Sequence, residues 1–289
     1  MNEDIKQNVG KLLSERPVGD ITPIGNNGYG KDEAGRLYAY EPIEEKERRR
    51  KHAAKKSDNR HFTFSHMRHI RDLTDNLSSK LCGYVLMLQP HIQFKSNVLV
   101  CKGQDEVPLD MKELAKVLGV KLRSAKTVIE EMELHDILET TANGNYRVNE
   151  RYHFRKRAGS EADMLIKTFH TTLKELKISA AEAGFLYKLL PYVHYETNLI
   201  CDNPFEDDPT QVRFLNGTEI AEKVGIPRQK ANAVMLKLNE VGAIAQVQRK
   251  LFKQLSGDKR DTLVILNPFI FYRKQGKPDA LLMQIFGCK

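Results

Sequence analysis

One pattern occurs twice in this chain, and it constrains the fold more than anything else. Glu113-Leu-Ala-Lys-Val-Leu-Gly-Val120 lies over Glu219-Ile-Ala-Glu-Lys-Val-Gly-Ile226 at an offset of 106, with the apolar positions and the glycine coinciding. Val128, Ile129, Met132 and Leu138 then fall on Val234, Met235, Leu238 and Ile244. Upstream, Leu77–Val100 lies over Ile178–Cys201 at an offset of 101, which matches Gly83 with Gly184, Pro90 with Pro191 and Asn97 with Asn198. Downstream, Tyr146–Lys156 lies over Val264–Lys274 at an offset of 118. The offset steps only where loops are expected. A repeat that keeps its landmarks and varies its loops indicates two copies of one domain.

Each copy reads as a helix-turn-helix followed by a β-hairpin wing. In the second, Ile220, Ala221 and Val224 share one face of a short helix from Glu219 to Val224, and Gly225 supplies a sharp turn. Pro227 opens the next helix, whose buried face is Ala231, Val234, Met235, Leu238 and Val241, and Gly242 ends it. A wing follows, Gln246–Leu255 pairing with Thr262–Leu266 around Ser256-Gly257-Asp258. In the first copy the helices are expected over Met111–Leu118 and Leu122–His135, with wing strands Ile137–Thr141 and Tyr146–Val148 turning at Asn143-Gly144. The opening helices are expected at Leu77–Ile92, capped by Ser78 or Ser79, and at Ala180–Leu190, with a strand-like run from Ile92 to Cys101.

The expected class is mainly α with small β wings (α+β). The expected domains are an N-terminal extension and basic arm (1–60), a first winged helix-turn-helix domain (61–158) and a second with a C-terminal helix (159–289). Two domains suit a chain of 289 residues, and 40% hydrophobic content suffices for two small cores.

The outward residues carry the chemistry. Arg228, Gln229, Lys230 and Asn232 stand at the start of the second copy's second helix, and Lys121, Arg123, Ser124, Lys126 and Thr127 at the start of the first. Long donors there suit phosphates and base edges in a major groove. The second wing adds Arg249, Lys250, Lys253, Lys259 and Arg260, and the first adds Arg147, placed to meet DNA backbone or a minor groove. Arg228→Ala is expected to relax specificity at one base position and Lys259→Ala mainly to lower the salt dependence. A net charge of +8 points to a polyanionic partner. Because the two reading helices differ, the expected site is asymmetric or directly repeated rather than a perfect palindrome.

Other segments are read more plainly. Asn2–Leu13 is a short helix, and Pro23–Tyr40 a small hairpin with a turn at Asp32–Gly35; Gly25, Gly28 and Gly30 lack the lysine and hydroxyl residue of a phosphate loop. Glu41–Arg60 runs from acidic to basic, as a solvated helix or linker would, or as an arm tracking DNA backbone. Phe62, Phe64, Met67, Ile70 and Leu73 belong to an apolar arm leading into the first domain, and Met164–Leu176 is a helix opening the second. His61, His66 and His69 lack metal-ligand spacing, and the Asp202–Gln211 loop, with Asp202, Glu206, Asp207 and Asp208, lacks that of a calcium loop. Neither a metal nor a cofactor is expected. The apolar tail Pro278–Phe286 is a last helix or a dimer contact.

Four scattered cysteines without a C-x-x-C pair fit reduced thiols in the cytoplasm, and neither a membrane span nor a signal peptide is read. No catalytic constellation is legible, so an enzyme is not expected.

The helix-turn-helix segments PLDMKELAKVLGV and FLNGTEIAEKVGI, with the closing segments YRVNERYHFRK and VILNPFIFYRK, resemble the winged-helix domain of RepL-type plasmid replication initiators and related MarR-like regulators of Gram-positive bacteria and their phages. The first copy carries Glu150 where the second has Pro268, and those proteins usually hold one such domain per chain. The resemblance implies a sequence-specific double-stranded DNA-binding protein of a phage, plasmid or mobile element, acting in transcription regulation or DNA replication. Further partners are a second copy of the chain or the replication or transcription machinery. The alternative is a winged-helix protein-interaction scaffold, to which Glu130, Glu131 and Glu133 lend support.

Overall fold

The computed structural model describes residues 19–24, 29–39, 60–101, 106–159, 161–208, 210–249 and 262–287. The chain divides into two compact units, 1–58 with 275–277, and 59–274 with 278–289. The expected helix at Asn2–Leu13 and all of the basic arm except Arg60 lie outside the described residues, as do Gly25, Gly28, the Ser256-Gly257-Asp258 turn and Cys288.

The described part of the first unit is a three-stranded antiparallel sheet of β1 (Thr22–Pro23), β2 (Tyr29–Lys31) and β3 (Leu37–Ala39). Its turn falls where the sequence places it. The Asp32 carboxylate accepts from the Arg36 amide at 2.8 Å, and Gly35 takes φ +79°, a conformation glycine adopts without steric cost.

The second unit holds both repeats. The first comprises β4 (Phe62–His66), α1 (Met67–Asn76), α2 (Ser79–Leu88), α3 (Met111–Val117), α4 (Leu122–Leu134), β5 (Leu138–Thr140), β6 (Tyr146–Val148) and β7 (His153–Phe154). The second comprises β8 (Leu165–Phe169), α5 (His170–Glu175), α6 (Ala180–Leu189), α7 (Gly217–Val224), α8 (Arg228–Glu240), β9 (Ile244–Gln248), β10 (Thr262–Leu266) and β11 (Phe271–Tyr272), followed by α9 (Ala280–Phe286). The class is α+β with small sheets.

Equivalence extends to single hydrogen bonds. Leu99 donates to Tyr146 and Ile200 to Val264; Asn149 donates to Ile137 and Asn267 to Ala243. Asn97 and Asn198 both take left-handed φ (+55° and +56°), and each side-chain amide donates to two buried carbonyls, Val148 and His153 in one case, Leu266 and Phe271 in the other. These asparagines fasten the outer hairpin strand to the chain that leaves it. Asparagine suits the position because it tolerates this backbone and brings its own donor.

A local twofold relates the repeats. The four-stranded sheet runs β11-β8-β4-β7, all antiparallel, and its central pair aligns Phe62 with Phe169, Phe64 with Lys167 and His66 with Leu165. At the same dyad α2 crosses α6. A Cβ built on Gly83 would stand 1.7 Å from the Ala180 carbonyl oxygen, and one on Gly184 1.5 Å from that of Ser79. The two contacts are reciprocal, as in a symmetric dimer. One buried cluster draws on both repeats, from Met67, Ile70 and Leu86 to Leu186, Met235 and Leu266.

Three expectations are corrected. Residues 62–73 are not an arm: β4 and α1 are the repeat's own first elements, with Met67 and Ile70 fully buried. Met164–Leu176 is not one helix. Leu165–Phe169 is a strand buried at every position because it sits at the centre of the sheet, and only His170–Glu175 is helical. Ile92–Cys101 is not a continuous strand. It doubles back through left-handed Lys95 and Asn97, so that Ile92 faces Leu99 in an isolated bridge.

The tail forms α9. Leu282 and Phe286 bury against Phe169, Leu199, Phe214 and Tyr272, which makes it the last helix of the second repeat.

Candidate nucleic-acid interface

Two helix pairs and two hairpins make the surfaces in question. In the second repeat α7 ends at Gly225 (φ +76°), α8 follows, and β9 pairs with β10 from Ile244–Leu266 to Gln248–Thr262. In the first repeat α3 turns into α4 at Gly119 (φ +65°), and β5 pairs with β6, Glu139 opposite Arg147.

Among the described residues four α-helices, α1, α4, α5 and α8, start without a side-chain cap. Helices α2, α3, α6, α7 and α9 are each capped by a side chain, Ser78, Asp110, Ser179, Asn216 and Asp279. On α7 the Asn216 side-chain Oδ1 accepts from the backbone amides of Thr218 and Glu219, and the Glu219 carboxylate accepts from the Asn216 backbone amide at 2.7 Å. Helix α8 instead begins after Pro227 and α4 after Lys121, neither with a side-chain cap or an acid in its first turn. Their first residues are cationic: Arg228 and Lys230 on α8, Lys121 and Arg123 around the start of α4. Cations at an uncapped amino end oppose the helix dipole and are unfavourable for the isolated protein. An anion placed there meets free amides and positive side chains together.

Arg228, Gln229, Lys230 and Asn232 are all exposed. Arg228 and Asn232 line a cleft of about 480 Å³ between α8, the start of α7 and the hairpin, with Thr218, Gln246 and Thr262. Gln229 lies outside that cleft. Lys121, Arg123, Ser124, Lys126 and Thr127 are exposed on the first repeat. Arg147 is exposed, but its guanidinium is ion-paired with Glu139 across the hairpin. Arg249, just after β9, is buried at 7% exposure rather than presented on the hairpin surface. Lys250, Lys253, Lys259 and Arg260 lie outside the described residues.

Sequence reasoning missed the cleft residues Thr218, Gln246 and Thr262. Gln246 carried a signal, since strand alternation from buried Ile244 turns it outward. Thr218 and Thr262 carried none, because three separate elements bring them together.

The repeats differ in charge. Behind its first turn α4 carries exposed Glu130 and Glu131, and Glu133 accepts from the Thr140 hydroxyl at 2.6 Å. Helix α8 has Lys237 at the corresponding end, paired with Glu182 at 2.6 Å. The acidic loop behaves as a structural element: Asp202 pairs with Lys223 at 2.8 Å and with Arg213, and these cations hold its carboxyl below the usual range.

The groups with the largest pKa displacements sit in the core. Burial holds the His153 imidazole at about 3, and pushes the Cys82 and Cys201 thiols up to about 12. Arg273 is brought down to about 10 by burial. Its guanidinium donates to the carbonyls of Val193 (2.9 Å), Pro204 and Asp163, tying the closing strand to three loops. None of these four lines the cleft. No described helix is long and apolar enough to cross a membrane.

No protein-family model, curated protein or solved structure matches the chain.

Proposed function

We propose that the chain is a sequence-specific double-stranded DNA-binding protein. Each repeat is a winged helix-turn-helix, α4 and α8 are the reading helices, and the β5–β6 and β9–β10 hairpins are the wings. The setting is the cytoplasm of a host carrying a phage, plasmid or mobile element. The role is transcriptional regulation or replication initiation, as the resemblance to RepL-type initiators and MarR-like regulators implies, with no catalytic activity.

The observation that carries this reading is that the second helix of each helix pair, α4 in one repeat and α8 in the other, presents exposed cations at an uncapped amino end. Phosphates at those ends would complete both the amides and the charges. The dyad turns the two reading helices in opposite senses, so the half-sites run in opposite directions and, since the helices differ, are not identical. Direct repeats within one chain's footprint do not suit this symmetry, which departs from the expectation drawn from the sequence.

Arg228 lines the cleft and Lys230 is exposed elsewhere on the same first turn; in a departure from the sequence expectation that Arg228 reads a base, both are assigned to phosphate at the free helix start. Arg228→Ala and Lys230→Ala should each weaken binding uniformly across sequences. Each should also lower the slope of log K against log salt by about 1. The check is fluorescence anisotropy on selected duplexes across a salt series; unchanged slopes in both variants would remove the assignment.

A second reading makes the first repeat a protein-docking face. Leu134, at the end of α4 beside Glu130 and Glu131, is 80% exposed. Gel shifts with genomic fragments separate the two, since a scaffold gives no sequence-preferring complex.

A further inference from the structure

On the outward face of α8, Gln229, Ala233 and Leu236 succeed one another at spacings of four and three residues, which puts them in one stripe along the helix. All three are exposed, and Leu236 is 57% exposed, although a side chain of that kind gains by leaving water. The stripe is polar only at Gln229 and carries no charge. The equivalent positions of α4, at the offset of 106, are Arg123, Thr127 and Glu130, also all exposed. The Thr127 hydroxyl is turned back to the Arg123 carbonyl at 3.4 Å. Among the described residues no ion pair engages Arg123 or Glu130.

These stripes match different base edges. In the major groove glutamine pairs with adenine N6 and N7, and apolar side chains meet the thymine methyl. Arginine pairs with guanine O6 and N7, and a carboxylate accepts from the cytosine N4 amine, which is the use a bare glutamate has on a face otherwise turned to a polyanion. We propose that the two repeats read half-sites of different composition. The Gln229–Ala233–Leu236 stripe takes an A·T half-site through adenine and thymine methyls, and the Arg123–Thr127–Glu130 stripe takes a half-site containing G·C pairs. This rests on the DNA-binding reading above and adds Ala233, Leu236 and Glu130 as specificity-determining residues.

The test starts from selection of sites by the full chain from a randomised duplex library. Enrichment of one A·T half-site and one G·C-containing half-site is expected. Replacing thymine by uracil in the A·T half-site, which removes only the methyl, should weaken the wild type about fourfold, the worth of one buried methyl group. The same replacement should cost Leu236→Ala less than the wild type, because only the Ala233 contact with a methyl remains to be lost. Glu130→Gln should lose the cytosine preference at one position of the other half-site and gain adenine there. Both substitutions are at exposed positions, and circular dichroism confirms that each variant is folded. Half-sites of equal composition, indifference of the wild type to uracil, or an unchanged preference in Glu130→Gln would overturn the inference while leaving DNA binding intact. Absence of any enriched site would overturn the DNA-binding reading itself.

Discussion

At His153 the two halves of the molecule part company chemically. Its Nδ1 lies 2.9 Å from the Ser65 hydroxyl and 3.3 Å from the Gln89 amide nitrogen, and its Nε2 lies 2.8 Å from the Tyr187 hydroxyl. Gln89 can only donate from that nitrogen, so Nδ1 accepts and Nε2 carries the proton. The equivalents of His153, Gln89 and Tyr187 across the dyad are Phe271, Leu190 and Leu86. A buried neutral histidine makes stability depend on pH. The folded-state value of about 3 lies below the ordinary 6.5, so the unfolded chain takes up the proton first. The contribution is complete above pH 6.5 and is lost as pH falls toward 3. By pH ~5 the loss is about 2 kcal/mol. His153→Asn keeps an acceptor for Ser65 but cannot titrate. Urea unfolding at neutral and mildly acidic pH should therefore show a flatter decline for the variant than for the wild type, and equal declines would assign the acid sensitivity elsewhere.

Among the elements, the crossing of α2 and α6 is the most demanding. Gly83→Ala and Gly184→Ala each force a methyl group into a backbone carbonyl of the partner helix, a contact relieved only by parting the helices. Overpacking against side chains costs roughly 1–3 kcal/mol, and here the obstacle is backbone, so the loss should exceed that range. Gly119→Ala is the control: its φ of +65° is left-handed but its surroundings are open, so only the conformational cost of roughly 1–2 kcal/mol applies. Thermal melts should rank the crossing glycines far below the turn glycine; the reverse order would mean that the crossing is looser than described. The same elements show what could be read in advance. Matched glycines, prolines and asparagines exposed the repeat, because each marks a backbone need that recurs at fixed spacing. The bounds of α3, α4 and α8 followed closely from apolar periodicity and turn glycines, whereas α7 starts two residues before the expected Glu219, at the Asn216 cap. Strands β4 and β8 were hidden because they pair with each other across the whole repeat and, in β8, every position is buried, so no alternation marks it. At the candidate interface the exposed helix starts were legible from single-helix periodicity. The cleft was not, being made by three elements distant in sequence, and the burial of Arg249 depends on packing that composition cannot reveal.

For the whole molecule, the shared sheet and helix crossing put both repeats in one compact unit built around a local dyad. On the proposed DNA-binding reading, a chain that carries both helices brings the second at no further cost in association, which raises affinity without new contacts. If α4 and α8 are the reading helices, the proposal has them enter successive major grooves, about 34 Å apart on one face of the duplex. Hydroxyl-radical footprinting of a selected site, with the stoichiometry of the complex measured in the same preparation, tests this most directly. One chain should protect two backbone segments one helical turn apart, centred on oppositely oriented, non-identical half-sites. Protection confined to a single groove, or a two-groove footprint that appears only when two chains are bound, would contradict the account.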